Sequence, residues 1–464
     1  MSVKTSGREN WGSKVGFILA AAGSAIGLGN IWKFPYIAGE NGGAAFIFIY
    51  LICIAVIGLP VLIAEVLLGR TTQRNPVGAF KALSNSPYWT AIGAMGVIAG
   101  FVILSFYGVV AGWSFGYIFE AIKGSFYEFE QPNSAADFFG SLTSNVAWIV
   151  GFLALFMCLT MFIVYSGVQK GIERGSKILM PLLLIILIIL MIKGITLDGS
   201  EKGIAFILQP DWSLVSGESV LLALGHAFFT LSLGMGAMMT YGSYMSKKDS
   251  IPGASLQIVF LDTFIALIAG VAIFTAVFAT GLDPAAGPGL IFQTLPVVFT
   301  KMPGGYIFSI MFFLLLTIAA LTSSISLLEV VVAYFVDEKK WARKKAVIVF
   351  GTVTFLVGVP SALSFNLIAD VKLFGLNFFD LADWLASNIL LPVGGLFISV
   401  FVAWVWGFDK VLVELKRGAE SLFDNYPWII TFWKIFIKYF SPVLIFLVFL
   451  HSIGVLDLII DLFK

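Results

Sequence analysis

Asp262 stands in a long apolar run, and so do the polar side chains of Asn30, Thr230, Ser232 and the triplet Thr322-Ser323-Ser324. Carboxylate, amide, hydroxyl and carbonyl oxygens are ligands for hard cations, and the softer donors (His226, His451, Cys53, Cys158) are too scattered for a transition-metal cluster. The oxygens therefore point to an alkali ion such as sodium. Three consecutive hydroxyls on a helix can also satisfy themselves on carbonyls one turn earlier, and that alternative stays open. An ionised acid in hydrocarbon costs at least ~2.5–3.5 kcal/mol, so Glu65, Asp262 and Glu329 each demand a partner. Glu65 reads as an acceptor for backbone N–H groups freed nearby, and Asp262 as a formal charge beside a bound cation. Glu329 reads as a cytoplasmic vestibule residue. His226 lies one helical turn before Thr230, as a satisfied core residue or as a titrating neighbour of Asp262. No nucleophile–base–acid set or phosphate loop is present, so the chain does not read as an enzyme.

These oxygens must be positioned by elements that leave backbone groups free. Gly23-Ser24-Ala25-Ile26-Gly27-Leu28-Gly29-Asn30 breaks the apolar run Gly16–Tyr36, and Phe229 to Ala237, with Gly234 and Gly236, breaks another. Hydrocarbon supplies no partners for freed N–H and C=O groups, so such breaks persist where they line a site that uses them. A helix that stops near Ala22 and restarts near Gly27 presents carbonyls to a cation and amides to a carboxylate. Small residues that let helices pack closely are the plainer reading of either break alone.

Hydrophobic residues make up 59% of the 464 and charged residues 12%, far from the roughly 25% charged of soluble domains. The chain reads as an all-α polytopic membrane protein with eleven apolar segments. They lie near 15–37, 42–69, 88–121, 147–166, 177–196, 218–245, 254–281, 303–336, 345–363, 377–407 and 435–458. A polar segment, 1–14, precedes them and reads as retained rather than cleaved. With the N-terminus in the cytoplasm, 21 of the 28 Lys and Arg residues fall on the cytoplasmic face. That asymmetry places the C-terminus outside the cell membrane. Segments one to five (15–196) and six to ten (218–407) each begin with a broken helix, and five is odd, so the second set enters from the opposite side. An inverted repeat follows, with 435–458 as an addition. Long outward connections at 124–147 and 282–302 are candidate lids. A channel would use similar oxygens, but channels need a continuous pore and symmetric subunits.

Arg8-Glu9-Asn10-Trp11, Gly23 through Pro35, Glu40-Asn41-Gly42-Gly43, Phe228 through Gly234 and Leu321 through Ser324 together resemble the neurotransmitter:sodium symporter family, over roughly residues 8–410. The resemblance implies a LeuT-type 5+5 inverted repeat with broken helices 1 and 6, and sodium-coupled amino-acid uptake. It implies one sodium site at Ala25, Asn30, Thr230, Asp262 and the substrate carboxylate. A second would use Gly23, Ile26, Ala319, Thr322 and Ser323. The amino acid would lie between them, with its carboxylate near Gly27 and Tyr107. Its side chain would sit among Ile103, Phe229, Ser232, Met235 and Leu327, with Ala25, Thr230 and Ser323 bordering it. An outer gate resembles Lys33 facing Asp383. An inner gate resembles Arg8 facing Asp337, with Trp11, Ser243 and Tyr244 nearby. The implied partners are an amino acid, sodium ions and the bilayer, not nucleic acid; a homodimer is left open.

Three departures from the family pattern matter. Lys33 replaces a common arginine and cannot form a planar two-bonded fork, so the outer latch should be looser. Asp262 falls where chloride-dependent relatives carry asparagine, and a fixed carboxylate there could stand in for chloride, so transport should be chloride-independent. Met235 replaces an aromatic residue between two glycines, and a flexible thioether should admit bulky side chains, tyrosine first.

Overall fold

The computed structural model describes residues 9–129, 132–284 and 287–456. Among these the structure is helical, and the one β pairing is an isolated bridge between Leu373 and Leu376. The first apolar segment forms α1 (Lys14–Ala25) and α2 (Gly29–Glu40), bent by 48° across the break. Then follow α3 (Ala44–Thr72), α4 (Pro87–Lys123), α5 (Val146–Tyr165) and α6 (Val168–Ile195). The sixth segment forms two short helices, α7 (Gly217–Thr230) and α8 (Ala237–Gly242). After it come α9 (Ile251–Ala279), α10 (Gly305–Asp337), α11 (Arg343–Leu363), α12 (Phe378–Val405) and α13 (Trp428–Ser452). The last begins at Trp428 rather than near 435 because Trp428 to Ile435 continues the apolar run, and Trp433 is buried with its indole N–H on the Pro60 carbonyl, 3.1 Å away. Cys53 and Cys158 are free thiols.

Long helices α4 and α10 pack along one another and form a wall, with α1 and α8 also against α10 and with α5 and α11 behind. Residues facing lipid are large and apolar, among them Phe162, Ile178, Ile185 and Val443, whereas the interior faces of α4 and α10 carry small and hydroxyl residues. A bilayer does not drive helices together by hydrophobicity, so small side chains that permit close approach decide which faces meet. Loop helices Pro132–Ser144 and Thr294–Lys301 lie in the two long connections. The second connection is tied down where the Tyr117 hydroxyl donates to the Phe292 carbonyl at 3.1 Å.

Both breaks have local causes. Ile26 leaves helical geometry with φ −74° and ψ 100°, and the chain restarts two residues later. In the second break Ser232, Gly234 and Gly236 take φ of 54°, 80° and 74°. A Cβ at Gly234 would also press on the backbone of Leu391. The left-handed region costs an ordinary residue roughly 1–2 kcal/mol, and no side chain fits the gap. Gly234→Ala should therefore lower the thermal unfolding midpoint of the detergent-purified protein by several degrees, read by a thermal-shift assay.

Candidate functional site

The two breaks meet at the centre of the molecule, where side chains replace the missing helical bonds. At the first, Gly27 N–H donates to Asn30 Oδ1 (3.1 Å) and Leu28 N–H to the Tyr107 hydroxyl (3.1 Å). At the second, Gly234 N–H donates to Glu65 Oε1 at 2.6 Å, so a fully buried acid on α3 holds the unwound segment. Crossing between the breaks, the Ser232 hydroxyl donates to the Ser24 carbonyl at 2.8 Å. The Ser24 hydroxyl lies 2.6 Å from that of Ser326 on α10.

Two oxygen clusters flank this crossing. In the first, Asp262 Oδ1 accepts from Asn30 Nδ2 at 2.8 Å and from the Thr230 hydroxyl at 3.0 Å. The Tyr50 hydroxyl lies 3.5 Å from Asp262 Oδ2. Asp262 is fully buried, and among the described residues no Lys or Arg pairs with it. In the second cluster Thr322 Oγ1 is 3.0 Å from the Ala319 carbonyl and 3.5 Å from that of Ile26. The Ser323 hydroxyl is 3.5 Å from the Gly23 carbonyl and 3.1 Å from that of Ser24. Thr322 also bonds back to Ile318 at 3.2 Å, so local satisfaction on the helix and reach across to α1 coexist. Among the described residues no group of three His, Cys, Asp or Glu could hold a metal ion, and both clusters are built from oxygen. A hard cation suits that donor set.

Between the clusters lies a cavity of about 330 Å³ bordered by Ser24, Ala25, Gly27, Gly29, Ile103, Tyr107, Phe229, Ser232, Met235, Ser323 and Leu327. Thr230 is set back against Asp262 instead of lining it. Above is a second cavity, of about 430 Å³, with Trp32, Lys33, Tyr36, Phe379 and Asp383 in its wall. Phe229 and Tyr107 belong to both walls and form the partition.

The two gates differ in what the structure shows. Lys33 and Asp383 share the upper cavity but form no ion pair: the Lys33 ammonium lies 4.6 Å from the centre of the Phe229 ring, and Asp383 accepts from Ser387 at 3.0 Å. A point charge on a flexible stem gains as much from an aromatic face as from a distant carboxylate. On the inner side Arg8 lies outside the described residues. Asp337 accepts from the Asn75 backbone N–H at 3.1 Å and from its side-chain amide at 3.2 Å. Trp11 docks by its indole N–H on the Tyr241 carbonyl (2.9 Å) and by its backbone N–H on Tyr244 (3.1 Å). Ser243 is fully buried, its hydroxyl donating to the Thr240 carbonyl at 2.5 Å.

Sequence reasoning missed the partners of Glu329 and Glu173 and left His226 between a core role and a place beside Asp262. Glu329 is no vestibule residue; it is fully buried, doubly paired with the Arg343 guanidinium at 3.0 and 2.5 Å, and accepts from the Tyr244 hydroxyl at 2.6 Å. The need for a base was readable, and Arg343 is the first arginine past the end of α10. Glu173, unmarked in the sequence, accepts from Gly12 N–H (2.6 Å) and Ser13 (2.8 Å) and seats the start of α1. His226 makes no hydrogen bond to Asp262: its ring stacks on Phe34 and packs tilted against Tyr50, and it is the Tyr50 hydroxyl that lies 3.5 Å from the Asp262 carboxylate.

The sequence matches the family model described as the sodium:neurotransmitter symporter family over residues 8–134 and 137–459. It is 42% identical to the sodium-dependent transporter YhdH of Bacillus subtilis (strain 168), over 96% of this chain and 98% of that one. It is 26% identical to a sodium- and chloride-dependent taurine transporter of Rattus norvegicus, over 92% of this chain and 76% of the other. Among solved structures, that of MhsT in complex with L-phenylalanine aligns with a TM-score of 0.87 at 47% identity, covering 96% of this chain and all of the other. A helical bundle with two interrupted helices, oxygen clusters at the interruptions and these likenesses lead to one statement: this chain is a multi-pass membrane transporter, not an enzyme, and belongs to the sodium:neurotransmitter symporter family.

Proposed function

We propose that this chain couples inward sodium flow to uptake of a bulky hydrophobic or aromatic L-amino acid, tyrosine foremost, without chloride. The observation that carries this reading is the central cavity, closed by two helix breaks and flanked on each side by an oxygen cluster. One sodium ion is assigned to Asn30, Thr230, Asp262 and the Ala25 carbonyl, with the substrate carboxylate completing its shell. A second is assigned to the Gly23, Ile26 and Ala319 carbonyls with the Thr322 and Ser323 hydroxyls. Gly27 and Tyr107 then face the substrate carboxylate, and Met235, Ile103 and Leu327 face its side chain. Coupling is the shared ligand, because the ion lacks an oxygen until the amino acid arrives. The structural relative MhsT, solved in complex with L-phenylalanine, supports an aromatic substrate, and Met235 leaves room for one.

The two inverted repeats, 15–196 and 218–407, exchange access by rocking of the first-repeat bundle, with the N-terminus cytoplasmic and the C-terminus outside. Each net charge carried inward gains ~2.3 kcal/mol per 100 mV, enough for over tenfold accumulation before the sodium gradient is counted. The test is uptake by proteoliposomes of a panel of radiolabelled amino acids with and without an inward sodium gradient. Sodium-stimulated uptake of tyrosine and phenylalanine is expected; no stimulation by sodium for any amino acid overturns the reading. In the same preparation, replacing chloride by gluconate should leave the initial rate unchanged, because Asp262 already supplies a fixed negative charge. A chloride-stimulated rate would remove that role from Asp262.

A further inference from the structure

A third cavity, of about 770 Å³, lies outside the central site, between α2, α7, α12 and α13. One wall is aliphatic, with Leu222, Leu224, Leu391, Leu444, Ile445 and Val448. Leu222 is 36% exposed on the outer face of α7, and Val443 beside Leu444 is 59% exposed, so the cavity opens where the bundle meets lipid. Its polar lining is Lys33, His226, His451, Ser387, Asn388 and Ser452. Among the described residues that lining holds no carboxylate. His226 is 2% exposed, and both of its ring nitrogens lack a hydrogen-bond partner. Buried polar atoms are nearly always satisfied, and an imidazole left with neither nitrogen bonded at a cavity wall marks a place for a ligand atom.

The lining decides the ligand's charge. A zwitterionic amino acid would bring an ammonium into a cavity that already holds the Lys33 ammonium and offers neither acid nor helix break. An anionic head is favoured by the same groups: Lys33 supplies the countercharge, and His226 donates one hydrogen bond. The aliphatic wall and lipid-side opening call for a hydrocarbon tail, and a single aliphatic wall seats one chain.

We propose that this cavity binds a single-chain anionic amphiphile from the bilayer, a long-chain carboxylate, with its tail along α7 and α13 and its head at Lys33 and His226. Lys33 now rests on Phe229, and Phe229 also borders this cavity as well as the central one. Occupancy draws the ammonium from the ring and thereby changes the partition over the central cavity. The binding step is independent of which amino acid is carried.

The test uses the full chain purified in detergent, with a fluorescent single-chain carboxylate such as parinaric acid as the probe. Saturable binding near one per chain is expected, displaced by oleate and at least tenfold less well by oleyl alcohol. Val448→Trp, which fills the cavity, should abolish probe binding while sodium-driven uptake persists as proof of folding; Leu222→Trp serves if that variant does not insert. His226→Leu should weaken oleate about tenfold or more. Oleate should also alter the initial uptake rate of the wild type but not of Val448→Trp. Equal displacement by the alcohol, displacement by free tyrosine, or undiminished binding in both tryptophan variants would overturn the proposal. None of these readings depends on the sodium assignments, so failure here and failure of the proposed transport cycle are separable.

Discussion

Asp262→Ala is expected to abolish sodium-stimulated uptake while the protein still inserts and folds. The carboxylate is fully buried and, among the described residues, has no basic side chain beside it, only the Asn30 amide and the Thr230 and Tyr50 hydroxyls. Three donors temper an anion in hydrocarbon but do not neutralise it, and a bound cation does. Alanine removes both the charge and the acceptor, leaving donors unpaired at roughly 1–3 kcal/mol each. A loss of that size in ion binding corresponds to roughly a 5- to 150-fold rise in the sodium concentration for half-maximal uptake. Asp262→Asn separates the two effects, because it keeps an oxygen for Thr230 and loses only the charge. Its melting temperature should lie nearer the wild type's than that of Asp262→Ala, yet its sodium response should be nearly as poor. Sodium-dependent uptake that persisted unchanged in the alanine variant would sink the ion assignment.

Which parts of this site were readable beforehand follows from how local each signal is. The helix breaks were legible because glycine and hydroxyl residues interrupt runs that are otherwise apolar, and the parity of the segments between them requires the inversion. The residues around the central cavity were legible only through the family motifs, since nothing in the spacing of Ile103, Met235 and Leu327 brings them together. Tyr50 on Asp262 and Arg343 on Glu329 were not legible. Hydropathy demands a partner for a buried acid but cannot name it, because the partner is chosen by how helices pack. The Lys33–Asp383 latch shows the opposite limit. The pairing of a cation and an acid on facing elements is a charge argument, and the structure spends the cation on an aromatic face. His226 does not bond to Asp262, since its ring packs against Phe34 and Tyr50 and the Tyr50 hydroxyl is the group beside the carboxylate.

The second large effect is expected at Arg343, on the opposite side from the lipid-facing cavity. Its guanidinium grips both oxygens of Glu329, its Nε donates to the Val164 carbonyl at 3.0 Å, and Glu9 approaches at 3.5 Å. Through Glu329 it reaches Tyr244, on which Trp11 docks. One side chain thus ties the ends of α5 and α10 to the segments that precede α1 and follow α8. In the proposed cycle those segments part when the inner face opens. Arg343→Ala leaves Glu329 buried without its cation, a loss of about 3–5 kcal/mol that falls mainly on the closed arrangement. An equilibrium moved by that amount changes more than a hundredfold, so the inner face should stand open. A cysteine at the buried Ser243, in a background lacking Cys53 and Cys158, reports this directly. Its labelling by a membrane-impermeant maleimide in inside-out vesicles should rise at least tenfold with Arg343→Ala, and sodium-driven uptake should fall accordingly. Arg343→Lys keeps the charge without the fork and should lie between. Glu329→Gln combined with Arg343→Ala should be milder than Arg343→Ala alone, because it removes the buried charge that the single variant leaves uncompensated. Labelling that stayed at the wild-type rate in Arg343→Ala would mean that the network braces the scaffold and takes no part in closing the inner face.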